Sequence, residues 1–188
     1  MNEFYKNYLN QLTALIREIP LDKVESIRQL LKEANQTGKQ IFVFGNGGSS
    51  ASADHFITDL GKGASDKLPT RFRCLSLNNN TAWMTAIGND YAYEDVFLRQ
   101  LQNFARPGDI AMTMSVSGSS PNVVKAIEWA NDNQLTTIAL VGGKKGRLAE
   151  IARHVIAVNS LHYGLVEDIH MIILHMLCYV FMENGGKS

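Results

Sequence analysis

Apolar residues recur at helical spacing over residues 3–37 (Phe4, Tyr5, Tyr8, Leu9, Leu12, Leu15, Ile16, then Val24, Ile27, Leu30, Leu31), and the period breaks at Ile19-Pro20-Leu21-Asp22. Proline cannot donate the next helical hydrogen bond, so this pattern predicts a pair of helices. After Thr37-Gly38-Lys39 the period shortens. Five β-branched and aromatic runs follow, QIFVF, RFRCLSL, DIAMTMS, TTIALV and HVIAV, each separated from the next by a segment of helical period. Buried strands alternating with helices, joined by right-handed crossovers, predict a three-layer α/β sandwich around a five-stranded parallel sheet in the flavodoxin-like order. Ligands then belong at the carboxyl ends of the strands. The last helix, from about Gly164 to Asn184, is apolar on most faces, which predicts burial against a partner subunit as well as its own sheet. No internal repeat, low-complexity tract or linker divides the 188 residues, so 1–188 reads as one domain with residues 1–37 used for oligomerisation.

Lysine plus arginine equals aspartate plus glutamate at 18 each, so no global field draws the chain to nucleic acid or an anionic membrane. An anionic ligand must be held locally. Cys74 and Cys178 lack metal-like spacing and read as buried filler in a reducing cytoplasm. The apolar run MIILHMLCYVFM falls short of the roughly 20 residues that cross a bilayer, and reads as a buried helix.

Two loops carry the chemistry. The first strand leaves through Gly45, Asn46, Gly47 and Gly48 and enters a helix at Ser49 or Ser50. Glycines allow close backbone approach, and a helix start offers free N–H groups with partial positive charge, so the turn suits a phosphate or a polyhydroxylated chain. A dinucleotide fingerprint would need glycine in place of Ser50 and an acidic residue after LSLNNN; a P-loop would need Gly-Lys-Ser/Thr, absent here and from GGKKGR at 142–147. The third strand ends in SVSGSSPN, where Ser115, Ser117, Ser119 and Ser120 gather before a helix with Pro121 in its first turn. Four hydroxyls at a helix start predict a phosphate cradle.

These residues resemble the SIS (sugar isomerase) domain family and, within it, the phosphoheptose isomerase group. The resemblance rests on GNGGSSASADHF at 45–56, AIGND at 86–90, SVSGSSPNVVKAI at 115–127 and EDIHMIILH at 167–175. It implies conversion of sedoheptulose 7-phosphate to heptose 7-phosphate in the cytoplasm by a homotetramer with sites between subunits. It implies substrate contacts at Asn46, Gly47, Gly48, Ser49, Asn89, Asp90, Ser115, Val116, Ser117, Ser120 and Glu167. It also implies a divalent metal, usually zinc, on His55, Asp59, Glu167 and His175, with Asp59 and His175 moving the protons. The spacing of His55 and Asp59 independently puts an imidazole and a carboxylate on one helix face. Glu167 and His175 lie eight residues apart, about 12 Å along a helix, so they reach one metal only by pointing toward each other or through a neighbouring chain.

Four positions depart from the family's usual pattern: Asp59 for glutamate, Glu167 for glutamine, Val116 for threonine and Ser50 for histidine. A non-catalytic sugar-phosphate-binding or docking module, or an isomerase of another phosphosugar, are the alternative readings. A sensor has no need of four ligands. Asn89 and Asp90 could equally cap a helix starting near Tyr91, and His154, His162 and His170 read as satisfied core residues.

Overall fold

The computed structural model describes residues 2–184. Strands β1 (Gln40–Gly45), β2 (Arg73–Ser76), β3 (Ile110–Ser115), β4 (Thr136–Val141) and β5 (His154–Ala157) form one all-parallel sheet in the order β2-β1-β3-β4-β5. Helices α1 (Glu3–Arg17), α2 (Leu21–Gln36), α3 (Gly48–Thr58) and α8 (Tyr163–Asn184) cover one face. Helices α4 (Thr81–Asp90), α5 (Leu98–Phe104), α6 (Pro121–Asp132) and α7 (Leu148–Ile151) cover the other. The strand order reverses between β1 and β3, the switch point at which open α/β sheets bind ligands.

Alternation along each strand builds two cores. Ile41, Val43, Met112, Met114, Ile138 and Leu140 face α8 and its neighbours, whereas Phe42, Phe44, Ala111, Ala139 and Val141 face α5 and α6. Helix starts follow local chemistry. Asn2 accepts from the N–H of Phe4 at 3.0 Å, and Asn80 from that of Trp83 at 3.0 Å. Past α3 the chain continues as a π-helical turn, Asp59–Ala64, in which Gly61 and Gly63 let Cys74 and Met182 approach closely.

Several expectations change. Asn89 and Asp90 end α4 and start nothing, because Asn80 sets the helix register and Tyr91 is its C-cap. His162 is exposed, and its Nδ1 accepts from the N–H of Leu165 at 3.4 Å at the start of α8. His154 is half-buried on the edge strand. Cys178 is buried but Cys74 only partly so; burial pushes the Cys74 thiol up to about 11 and that of Cys178 higher still, so both stay protonated. At 22 residues α8 is long and apolar enough to cross a bilayer by length and composition only, because Leu165, Val166 and Ile169 extend the run MIILHMLCYVFM. Here it is the core helix: Leu165, Ile169, Ile173 and Leu177 bury against the sheet.

His170 is the core histidine, 1% exposed, and neither ring nitrogen has a hydrogen bond of normal geometry among the described residues. Burial pushes it down to about 4, with a backbone interaction at Val141 pulling the other way. The unfolded imidazole takes up its proton near its ordinary value of about 6.5, so below that pH the unfolded state binds more protons and stability falls until pH reaches the folded value. Between about pH 7 and 5 this one group costs about 2 kcal/mol. Urea unfolding at the two pH values checks it: His170→Met, which cannot titrate, should remove that much of the decline.

Candidate functional site

Gly45 of β1 is paired with Met114 of β3, so the loops leaving the two strands run side by side. A Cβ on Gly45 would lie 2.7 Å from Ser49 Cβ and 3.0 Å from the Met114 carbonyl oxygen. Only glycine fits there. Gly47 has φ 56°, a conformation that side chains disfavour, and turns the chain into α3. Asn78, after β2, braces the turn: its Oδ1 accepts from the Gly45 N–H at 3.1 Å and its Nδ2 donates to the Gly45 carbonyl at 2.9 Å.

The second loop is folded by its own hydroxyls. Ser115 Oγ accepts from the Gly118 N–H at 3.2 Å, and Ser117 Oγ from that of Ser119 at 3.3 Å. Gly118 has φ 66° and lies beneath the loop after β4, where a Cβ would meet the Lys145 carbonyl oxygen at 1.9 Å. The Leu148 N–H donates to the Gly118 carbonyl at 2.8 Å, fixing this approach.

Between the loops is a cavity of about 80 Å³ lined by Asn46, Ser49, Met114, Ser115, Val116, Ser117, Ser120, Tyr163 and Glu167. It is far below the roughly 300 Å³ of a small-molecule pocket and suits one tetrahedral anion at the start of α6. It brings together Asn46, Ser49, Ser115, Val116, Ser117, Ser120 and Glu167 from the expected set, with Gly47 and Gly48 forming the turn beside it. Glu167 packs against Gly48, whose Cβ would come within 2.6 Å of its carboxylate. The next residue, Asp168, faces elsewhere and accepts from the Tyr8 hydroxyl at 2.6 Å, which pushes that phenol up to about 12. Adjacent carboxylates on α8 thus serve different neighbours. Asn89 and Asp90 do not join: both are exposed, and Asn89 Nδ2 donates to Asp90 Oδ1 at 2.9 Å.

A second constellation lies along α3 and α8. His55 Nε2 is 3.3 Å from Asp59 Oδ2, His175 Nε2 is 3.4 Å from His55 Nε2, and His175 Nε2 is 3.9 Å from Asp59 Oδ2. These three residues could hold a metal ion. Glu167 is not among them within this chain, because its side chain is turned to the glycine turn.

Sequence reasoning missed Asn78, Asn122 and Tyr163, and the π-helical turn that begins at Asp59. Asn122 stood within the serine-loop motif, where only the residues before Pro121 drew attention. Nothing in the sequence marks the π turn except the closely spaced Gly61 and Gly63.

The SIS domain family model matches residues 4–142. A probable phosphoheptose isomerase of Thermoplasma volcanium is 38% identical over 164 residues, covering 87% of this chain and 83% of that protein. The phosphoheptose isomerase of Aquifex aeolicus is 32% identical over 167 residues, covering 88% and 86%. A solved phosphoheptose isomerase structure from Neisseria gonorrhoeae superposes with a TM-score of 0.88 at 25% identity, covering 95% of this chain and 97% of that one.

Two glycines should separate packing from fold. At Gly118→Ala the obstacle is backbone and φ is positive, so denaturant unfolding should show a loss of about 2 kcal/mol or more. Gly48→Ala meets only a movable carboxylate, and should unfold within about 1 kcal/mol of the parent while displacing Glu167.

Proposed function

Because the chain belongs to the SIS domain family, we propose that it interconverts sedoheptulose 7-phosphate and D-glycero-D-manno-heptose 7-phosphate by metal-assisted proton transfer. It is a phosphosugar isomerase. The observation that carries the finer reading is the convergence of His55, Asp59 and His175 on helices that both run from the serine-lined cavity. One place suits the phosphate and another suits the chemistry.

The donor set fits a divalent ion. Of the separations among two imidazole nitrogens and a carboxylate oxygen, those of 3.3 and 3.4 Å match the edge, roughly 3.3 Å, of a tetrahedron with bonds of about 2.0–2.1 Å, and the third, 3.9 Å, would have to close on binding. His55, Asp59 and His175 would hold zinc, and Glu167 would complete the set by turning along α8 or from a neighbouring chain. When bound, the ion polarises the sugar carbonyl and stabilises negative charge on its oxygen.

The protein's own groups do the rest. Ser115, Ser117, Ser120, Ser49 and the glycine-turn backbone at Gly47 and Gly48 hold the phosphate by N–H and O–H donors at the starts of α3 and α6, while Val116 contributes its backbone. This remote binding energy orients the reacting end. Asp59 and His175 are the acid–base pair: one takes the C1 proton of the ketose and returns it to C2, and the other carries the hydroxyl proton between O1 and O2. Each would hold the ion when not moving a proton. Isomerisation is internally balanced, so no oxidant or co-substrate is needed.

The same reading includes a cytoplasmic homotetramer with sites between subunits. It is supported by the exposed Phe4, Tyr5, Leu9 and Ile16 on α1, an apolar face on the 1–37 helical pair that a partner would cover. A partner could then bring Asn89 and Asp90 to the substrate.

Incubating metal-loaded and chelated protein with sedoheptulose 7-phosphate, and following the aldose by NMR, tests this. Turnover should require metal, and Asp59→Asn or His175→Ala should lower kcat by about 10²-fold or more. Near-normal turnover in both variants would remove their assignment. Absence of turnover with phosphosugar still bound would leave the non-catalytic binding module as the better account.

A further inference from the structure

We propose that Asn122, with Tyr93, is a positioning residue that makes Asn46 present an N–H donor, and not its carbonyl, to the bound phosphosugar; this rests on the isomerase reading of the serine-lined cavity. Asn122 is the second residue of α6, is 2% exposed, and does not itself line the cavity. Its amide forms a cyclic pair with that of Asn46, 76 residues earlier: Asn46 Nδ2 donates to Asn122 Oδ1 at 2.9 Å and Asn122 Nδ2 donates to Asn46 Oδ1 at 2.8 Å.

An amide pair of this kind has two orientations related by flipping both groups, and only the surroundings choose between them. Here the choice is made by backbone. The Val123 N–H donates to Asn122 Oδ1 at 3.0 Å, so that atom must be the oxygen and its partner on Asn46 must be the nitrogen. The Tyr93 hydroxyl then donates to Asn46 Oδ1 at 3.3 Å, giving that oxygen its second donor. Both acceptor sites of Asn46 are filled, and one of its two N–H bonds is left over. Asn46 lines the cavity with Ser49, Ser115 and Glu167, so the spare donor belongs to the ligand. A donor is what a phosphate or sugar oxygen requires beside a carboxylate that offers none.

The pair also ties the β1 loop to the start of α6, and a purely structural staple would do that equally well. A double-mutant cycle distinguishes the two roles. Asn46→Ala, Asn122→Ala and the double variant are compared by kcat/KM for sedoheptulose 7-phosphate with zinc, by Kd for inorganic phosphate without metal, and by thermal unfolding. If Asn122 acts through Asn46, each single variant loses about 10-fold or more in one or both functional readouts, and the double variant is no more than about twofold worse than Asn46→Ala. Multiplying losses, or losses that track only the unfolding temperature, would overturn the proposal. Tyr93 is exposed, so Tyr93→Phe leaves the fold intact should Asn122→Ala not fold; it should lose about 2–5-fold, and nothing when Asn46 is already alanine. Asn46→Asp, which exchanges the donor for a charged acceptor, should be worse than Asn46→Ala. Should the parent show no turnover, the isomerase reading fails, and the phosphate cycle alone still decides the role of Asn122.

Discussion

The pairing of Gly45 with Met114 is the contact on which the site depends. Parallel register at the switch point sets the ends of β1 and β3 level, and the missing side chain at Gly45 lets Ser49 and the β3 backbone close to contact distance. Any larger residue would part the strands or tilt α3, and the two loops would no longer share a cavity. Asn78 on one flank and the Asn46–Asn122 pair on the other hold this arrangement through direct hydrogen bonds. With Asn122 buried and Asn46 partly so, the amide pair is costly to leave half made, so these bonds fix the loops' positions as well as adding stability.

Two helices carry that geometry outward. Helix α3 begins at the glycine turn and delivers His55 and, at the entry to the π-helical turn, Asp59; α8 begins near Tyr163 and delivers Glu167 and then His175. In the proposed reading, a ligand anchored at the helix starts would extend along α3 and α8 toward the imidazoles. The proposed binding and proton-transfer groups thus sit on or at the ends of helices, where a misplacement of about 1 Å would be most damaging. Burial beneath α8 holds the His170 imidazole well below its ordinary value, while of the two carboxylates at this end of the helix Glu167 packs against Gly48 and Asp168 accepts from Tyr8.

Much of this was legible in the chain. Period changes marked the two N-terminal helices and all five strands, and the glycine and serine loops stood where strand runs met helical ones. What could not be read was orientation. The family resemblance made Glu167 a metal ligand, although its helix position sat awkwardly with His175, and its side chain turns instead to Gly48, a contact 119 residues distant that no local pattern encodes. Asn89 and Asp90 sat before an apparent boundary that vanished because Asn80 had already set the register of α4. Asn122 was hidden for the same reason as Glu167: its partner, Asn46, lies across the sheet, and a lone asparagine after Pro121 looks like an ordinary residue of a helix start.

The central claim, that phosphate at the β1–β3 loops and a metal at His55, Asp59 and His175 act on one substrate, is tested most directly by diffraction. Crystals loaded with zinc and sedoheptulose 7-phosphate, measured at the zinc absorption edge, should show an anomalous peak within about 2.0–2.3 Å of both imidazoles and the Asp59 carboxylate, with the phosphate among Ser115, Ser117 and Ser120 of the same continuous site. A phosphate bound elsewhere, or zinc on other side chains, would contradict it.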